Sequence, residues 1–513
     1  MPKNKKGKGP LGGTPSIKTQ QLEIRRQVKQ AEQLWQKGDA AGALELLEAI
    51  LEKHPQHPDP ELLFMTGVLY VEIGMLHEGL ERAEEADELE PNNPQILSFL
   101  GLTYLLTNHP AHALMTYREL RSADEEAIAF GPEERERIKT LEQVFQQEAD
   151  NLGVVRVKIE QAMVLMERGE IAFLRGNASE GVQYLQQSIT MIPKWAAPRN
   201  NLTLYLWGIG QAEDAWTTAR SVLEELNPED YQALSNLTFQ LAVSGRTDEA
   251  RQYLQRLLTV FEKLTPIQQP EDEFIDEVVL EAAIPLYFKT AEALAALDED
   301  QQLFDLLKRG EALVLDYDHF FFRLLTAAAW NLGRPEEAQQ YWAKIEEDEK
   351  RRTDHGIEAA MTRLRPSEVP AWRMPYFEAS DLVPPDVMRQ IVIFDEKSGS
   401  FNKERMSAGY TRLTPYYPFL RSQLQTIAVG EFMLAEATLA ILVATGTPEI
   451  FQPLQDFALG VEGLEEVRQM TVSLLLKIGQ LPSEGEIRFW REKSAEWQQI
   501  PVAEFPPTNF KIE

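Results

Sequence analysis

Between Pro198 and Ala250 the apolar positions fall at three- and four-residue steps, and then the whole pattern repeats. NLTLYLWGIGQAEDAWTTARSVLEELNP is followed by NLTFQLAVSGRTDEARQYLQRLL. Asn201-Leu202-Thr203 returns as Asn236-Leu237-Thr238, Gly210 as Gly245 and Ala215 as Ala250, each 35 positions later. Steps of three and four predict amphipathic helices. Gly210 and Gly245 break them, because glycine accepts left-handed backbone at a helix end. Ala215 and Ala250 are small, which lets the second helix cross the first closely. Asn227-Pro228 ends the second helix, since a residue before proline is pushed out of the α region. Each unit is a helical hairpin with an apolar face it cannot bury alone, so neighbouring hairpins must stack. A period in the mid-thirties with this punctuation predicts an α-solenoid.

The same phase runs through much of the chain. A first hairpin over about Glu23–His54 carries Ala31, Leu34, Gly38, Ala43 and Leu47, with Pro55 after it. A second carries Gly67, Tyr70, Gly74, Gly79, Ala86 and Pro91, and a third Gly101, Tyr104, Asn108, Ala113 and Tyr117. Residues 121–161 break the pattern: a helix from Pro132 runs through the place where a turn glycine is due. Gly181 lies 68 positions after Ala113, two periods of 34, so one degenerate unit is expected to keep the stack continuous. A fourth hairpin over about Ala162–Pro193 carries Gly169, Gly176, Gly181 and Leu185. TPIQQPEDEF then interrupts the period. A seventh hairpin has Leu303 where a small residue is expected, and an eighth recovers Gly333 and Ala338.

Large, small, turn and stop residues in this order resemble the tetratricopeptide (TPR) family, most clearly in the first three, fifth and sixth hairpins. The resemblance implies an all-α, right-handed α-solenoid of TPR-type hairpins and a role in binding proteins, not a particular partner. The expected organisation is a disordered basic tail at 1–20, hairpins one to three at 21–128 and a degenerate unit at 129–161. Hairpins four to six follow at 162–262, two weaker ones at 263–352, and a Pro-rich connector with a C-terminal helical domain at 353–513. In the family, inward residues of each first helix line a concave groove. Counted from Asn201 and Asn236, these are Met166, Glu170 and Phe173, then Asn200, Leu204 and Trp207, then Ser235 and Phe239. The resemblance also implies that Asn201 and Asn236 hold a peptide backbone through their amides. None of these positions is Lys or Arg, so the carboxylate clamp of the family's chaperone-binding members is not expected. An apolar strip with amides suits an amphipathic helix or an extended peptide. The strip could equally pack on neighbouring helices or on the chain's own C-terminal region.

Charge changes the list of partners. Asp and Glu number 81 against 51 Lys and Arg, a net charge of −30. Such a field repels nucleic acid and anionic lipid. The exception is the terminus, where Lys3, Lys5, Lys6, Lys8 and Lys18 stand without an acid. It reads as a solubilising tail, or as an arm for RNA, a ribosome or an acidic partner. The terminus has no apolar stretch of the secretory kind, and no apolar run of about 18 residues predicts a membrane span. The expected compartment is therefore the cytoplasm.

Catalytic motifs are missing. The chain has no cysteine, which excludes disulfides and thiolate chemistry. His77-Glu78 opens like a zinc motif, but Glu81 stands where the second His belongs. His109 and His112 lack a third ligand nearby, and His54 and His57 flank an inter-repeat linker. No metal, cofactor or catalytic residue is expected. The C-terminal region reads as helices over about 418–445, 448–458, 463–480 and 483–498, with a HEAT-type unit at 446–481. Residues 391–404 read as a strand pair or a loop. The leading expectation is a non-enzymatic interaction scaffold. The alternatives are an RNA- or ribosome-associated factor, or the recruiting module of an enzyme with a C-terminal site.

Overall fold

The computed structural model describes residues 17–53, 59–123, 130–264, 277–311, 319–345, 361, 373–377, 394–395, 400–401, 439, 448–461 and 464–506. They belong to two compact units, residues 1–170 with 190–193 and residues 171–189 with 194–513. In the first unit α1 (Ile17–Trp35) pairs with α2 (Ala40–Lys53), α3 (Pro60–Glu72) with α4 (Leu76–Leu89), and α5 (Pro94–Leu106) with α6 (Pro110–Ala123). A long helix α7 (Pro132–Leu152) follows, and the unit boundary passes through α8 (Arg156–Leu174). The second unit continues with α9 (Ala178–Met191). Three hairpins come next: α10 (Ala196–Gly208) with α11 (Ala212–Ser221), α12 (Tyr231–Val243) with α13 (Thr247–Leu264), and α14 (Glu277–Ala296) with α15 (Asp300–Gly310). A fourth pairs α16 (His319–Asn331) with α17 (Pro335–Trp342).

One turn recurs in all of these hairpins. A residue in left-handed backbone ends the first helix: Gly38, Gly74, Asn108, Gly176, Gly210, Gly245, Asp298 and Gly333. The N–H of the next residue then reaches back to a carbonyl five positions earlier. Gln211 donates to Leu206 at 2.8 Å, Arg246 to Leu241 at 2.8 Å and Arg334 to Ala329 at 2.9 Å. This closes the orphan carbonyls of the first helix. Five residues after the left-handed position the side chain is small in every hairpin but one: Ala43, Gly79, Ala113, Gly181, Ala215, Ala250 and Ala338, against Leu303. The alanines among them are fully buried. Helices cross there at a separation that a larger side chain would oppose. The α3–α4 crossing shows how close they come: a methyl group on Gly79 would lie 2.6 Å from Val71 Cγ2.

Three expectations need correction. Helix α1 begins at Ile17, so residues 17–20 are helical rather than part of the tail. Between Pro15 and Gly38 the sequence has no Gly or Pro to oppose helix formation. The stretch read as a helix over 483–498 is instead an antiparallel hairpin of β3 (Glu486–Arg491) and β4 (Glu496–Pro501). Its sequence EIRFWR alternates: Ile487 and Phe489 are buried while Glu486 and Arg488 are exposed, which is strand periodicity. The described C-terminal part is therefore not all helical. A shorter antiparallel pair joins β1 (Phe394–Asp395) to β2 (Ser400–Phe401).

The terminal hairpin accompanies two helices, α18 (Pro448–Ala458) and α19 (Glu465–Lys477). Arg468 of α19 is fully buried and serves as their joint. It donates to the carbonyls of Gly460 and Trp490, each at 2.9 Å, and lies 4.7 Å from the centre of the Phe489 ring. The buried charge is thus met by carbonyl dipoles and an aromatic face. Residues 1–16, the His54–His57 linker, the acidic loop 265–276, the run 346–356, Trp372, Pro366, Pro370, Pro384, Pro385 and the helix read at 418–445, Leu439 apart, lie outside the described residues.

The crossing geometry predicts the outcome of enlarging it. Ala215→Leu and Ala250→Leu should each overpack a fully buried site and cost about 1–3 kcal/mol. Thermal melts of both variants check this, and unchanged midpoints would place the crossings elsewhere.

Candidate functional site

The left-handed residues fix the register of each first helix. Ten positions before Gly210, Gly245 and Gly333 stand Asn200, Ser235 and Arg323; six before stand Leu204, Phe239 and Ala327. Along the second unit, part of this face is occupied by the chain itself. Residues Arg373-Met374-Pro375-Tyr376-Phe377 lie against α12, α16 and the turn between α14 and α15, and Met374, Tyr376 and Phe377 are buried.

The segment is held by its main chain and its side chains together. Asn331, the last residue of α16, donates its amide N–H to the Met374 carbonyl at 3.0 Å. It accepts from the Met374 N–H at 2.7 Å. Arg323 donates to the carbonyl of Tyr376 at 3.3 Å. Contact thus passes from the C-terminal end of α16 towards its N-terminal end, so the segment runs antiparallel to that helix. At the far end the Phe377 ring meets Phe239 of α12 edge-on, with centroids 5.5 Å apart.

Charge anchors the other end. Arg373 makes a fork onto Asp300, with both contacts at 2.6 Å, and reaches Asp298 at 2.8 Å. Asp298 is the left-handed turn residue and Asp300 the first residue of α15, where the helix N-terminus favours negative charge. Asp300 also accepts the Tyr376 hydroxyl. Burial works against the charge of Arg373, but the hydrogen bond with Asp300 and the charges of both aspartates outweigh it and raise its pKa. Burial, then the bond to Asp300, pushes the Tyr376 phenol well above its usual range, so it stays a donor. A forked guanidinium–carboxylate pair at these distances is the strong class of charged hydrogen bond.

The residues expected to line the groove separate into three groups. Asn200, Trp207, Ser235 and Asn236 are buried. Asn200 donates at 3.1 Å to both Asp230 and Gln232, joining the fifth hairpin to the sixth. Leu204 is exposed at 40%, and Asn201 is half-buried. Phe173 is half-buried because it stacks on Tyr205 of α10, with centroids 4.4 Å apart and planes 8° from parallel. Phe239 meets the 373–377 segment through its ring. In the first unit Met166 and Glu170 are half-buried, and burial, then the charge of Glu167, pushes the Glu170 carboxyl upwards. The amide that bonds the main chain of residues 373–377 is that of Asn331, while Asn236 is buried and Asn201 half-buried. Arg323, Asn331, Asp298 and Asp300 are not among the residues that the resemblance implies, although the count that gives Asn200 and Ser235 reaches Arg323 in the eighth hairpin.

The histidine pair has a structural explanation. Glu167 of α8 is buried and accepts from the N–H groups of Ala111 and His112 at 2.7 and 2.8 Å. It also binds His112 Nδ1 at 2.6 Å. It caps the N-terminus of α6, whose orphan N–H groups need an acceptor. Among the described residues no group of three or more acids and histidines is arranged to hold a metal, and no helix is long and apolar enough to cross a membrane.

No family model and no curated protein matches the chain. Several solved structures are similar to it. One is a tetratricopeptide repeat protein from Parabacteroides merdae, at 20% identity, covering 52% of this chain and 99% of that one with a TM-score of 0.21. The TPR domain of P58(IPK) is similar at 12% identity, over 66% of this chain and 96% of that one, with a TM-score of 0.23. The MamA protein is similar at 14% identity, over 39% and 90%, with a TM-score of 0.19. No function is transferred from them. The chain's own turns, register and small crossing residues define a helical-hairpin repeat fold of the TPR type.

Two outcomes follow from this geometry. Asn331→Ala removes two hydrogen bonds of about 1 kcal/mol each, so the segment should open roughly 30-fold more often. Limited trypsin cleavage at the Arg373–Met374 bond measures it, and an unchanged rate would show that Asn331 does not hold the segment. Trp207→Ala, at a residue only 8% exposed, should cost about 3–5 kcal/mol in a thermal melt. A near-normal midpoint would return Trp207 to the set of surface anchors.

Proposed function

We propose that the chain is a non-enzymatic interaction scaffold that binds an extended peptide along the groove face of its second unit. The observation that carries this reading is the two-way hydrogen bonding between the Asn331 amide and the main chain of Met374. A side-chain amide that both donates to and accepts from one residue recognises extended backbone whatever its side chains are. The surrounding groups add preference: an acidic pair for a cation, and Phe239 for an aromatic ring. Recognition of this kind takes its affinity from the main chain and its choice of sequence from pockets. The segment lies non-helical against helices here, with a bend at Tyr376 and Phe377, which favours an irregular or extended ligand over an amphipathic helix. The proposed setting is the cytoplasm, and no cofactor or metal enters the proposal.

A displayed library of short peptides selected on the full chain tests this. Selected sequences should bind a form opened by Arg373→Glu and Tyr376→Ala and lose at least about tenfold in affinity when Asn331→Ala is added to it, the loss of roughly 1.4 kcal/mol that one or two hydrogen bonds supply. Melting points of the two proteins should agree closely. Selection of nothing, or of peptides indifferent to Asn331, would remove the groove as the binding site.

A further inference from the structure

The two acids and the side-chain amide of the groove that touch residues 373–377 are satisfied by that segment. Among the described residues the carboxylates of Asp298 and Asp300 and the amide of Asn331 hydrogen-bond only to Arg373, Met374 and Tyr376. Phe239 has its one ring partner there in Phe377. The groups do not bind one another across the groove, as core residues would. Two carboxylates two positions apart, beside an amide with both its edges turned to one backbone, form a receptor surface. The five residues fill it as a ligand does.

The segment also has the build of a ligand. Pro375 falls where no N–H is used, between the paired main chain of Met374 and the Tyr376 carbonyl. Proline fixes its own φ and biases the residue before it to extended backbone, so the chain arrives nearly in its bound shape. Arg373 and Tyr376 then present a cation and a hydroxyl donor to Asp300, and Phe377 presents a ring to Phe239.

We infer that residues 373–377 are an internal ligand that restrains the groove, and that the partner is a protein segment offering the same chemistry. That segment would carry an Arg, one apolar residue, a proline, a Tyr and a second aromatic, in that order and extended. The inference rests on the groove reading and adds both the class of partner and its control. The arithmetic permits exchange. A contact of five residues is weak alone, and tethering gives it an effective concentration of around millimolar. A partner of micromolar intrinsic affinity can therefore displace it, its apparent affinity reduced by the fraction of time the groove is closed. The anchor is reachable from solvent, since the Arg373 side chain is about a third exposed.

The test uses a labelled synthetic peptide copying residues 370–380, with fluorescence anisotropy on three full-length proteins. These are the wild type, an opened form carrying Arg373→Glu and Tyr376→Ala, and the opened form with Asn331→Ala added. The opened form should bind the peptide at least about tenfold more tightly than the wild type, because it no longer pays for closure. Adding Asn331→Ala should abolish most of that gain, and a scrambled peptide should not bind. Equal binding by wild type and opened form would overturn the restraint and leave the groove reading standing. No binding by any form would overturn the groove reading itself. A wild-type dimer that the peptide dissolves would assign the groove to a second copy and also overturn the proposal. Should the opened form fail to fold by circular dichroism, hydrogen exchange on the wild type decides. Saturating peptide should then raise exchange at Met374 of the chain by about tenfold, and unchanged exchange would refute displacement.

Discussion

One residue per hairpin serves two helices, and the array depends on it. The residue after the left-handed position gives its N–H to the end of the first helix and its carbonyl to the start of the second. Gln211 donates to Leu206 at 2.8 Å and accepts from Ala215 at 3.0 Å; Arg246 does the same between Leu241 and Ala250. Backbone groups orphaned at both helix ends are thus satisfied by a single peptide unit. The same geometry fixes which residue crosses the partner helix, since the acceptance reaches four positions onward to the small residue. Turn, cap and crossing are one device, so the apolar faces emerge in constant phase and can stack.

That phase was legible from glycines and alanines, because each is required by a local constraint. Gly210 and Ala215 announce themselves by backbone freedom and small volume, whatever lies around them. The terminal strands were not legible in the same way. EIRFWREKSAEWQQIP has apolar residues at both two- and three-residue steps, and its buried set was decided by what packs on it. The fully buried Arg468 shows the limit well, for nothing in a helix sequence announces a guanidinium that will find two carbonyls and a ring. The candidate site was half legible. Phe239 follows from the register, but its partner Phe377 lies 138 positions on in sequence, and no periodicity links them.

The seventh hairpin departs from the rules of the repeat at two positions, and one of them, Asp298, sits at the site. Its left-handed residue is Asp298 rather than glycine, and its crossing residue is Leu303 rather than alanine. A left-handed Asp costs more than Gly in that conformation, although its short polar side chain tolerates it. In return its carboxylate stands beside that of Asp300, and the two hold Arg373. Read by pattern alone, this hairpin is a weak copy. Read by chemistry, it is the one that gave up turn propensity for a charge pair, in keeping with local rules breaking first where function is placed.

The acidic balance of the chain bears on this pair. Two carboxylates in a protein of net charge −30 repel one another and the field around them. They gain by accepting a cation, and the forked geometry at 2.6 Å selects guanidinium over the single point charge of a lysine. Burial of Tyr376 beside them keeps its phenol protonated, so Asp300 receives three hydrogen bonds with no competing negative charge. A groove acidic at one end, with Arg323 and the Phe239 ring further along, gives the segment a direction. The cation must enter at the α14–α15 turn, and the aromatic end must then reach α12. Main-chain pairing at Asn331 cannot distinguish one peptide sequence from another, but the charge at one end and the ring at the other fix both polarity and register.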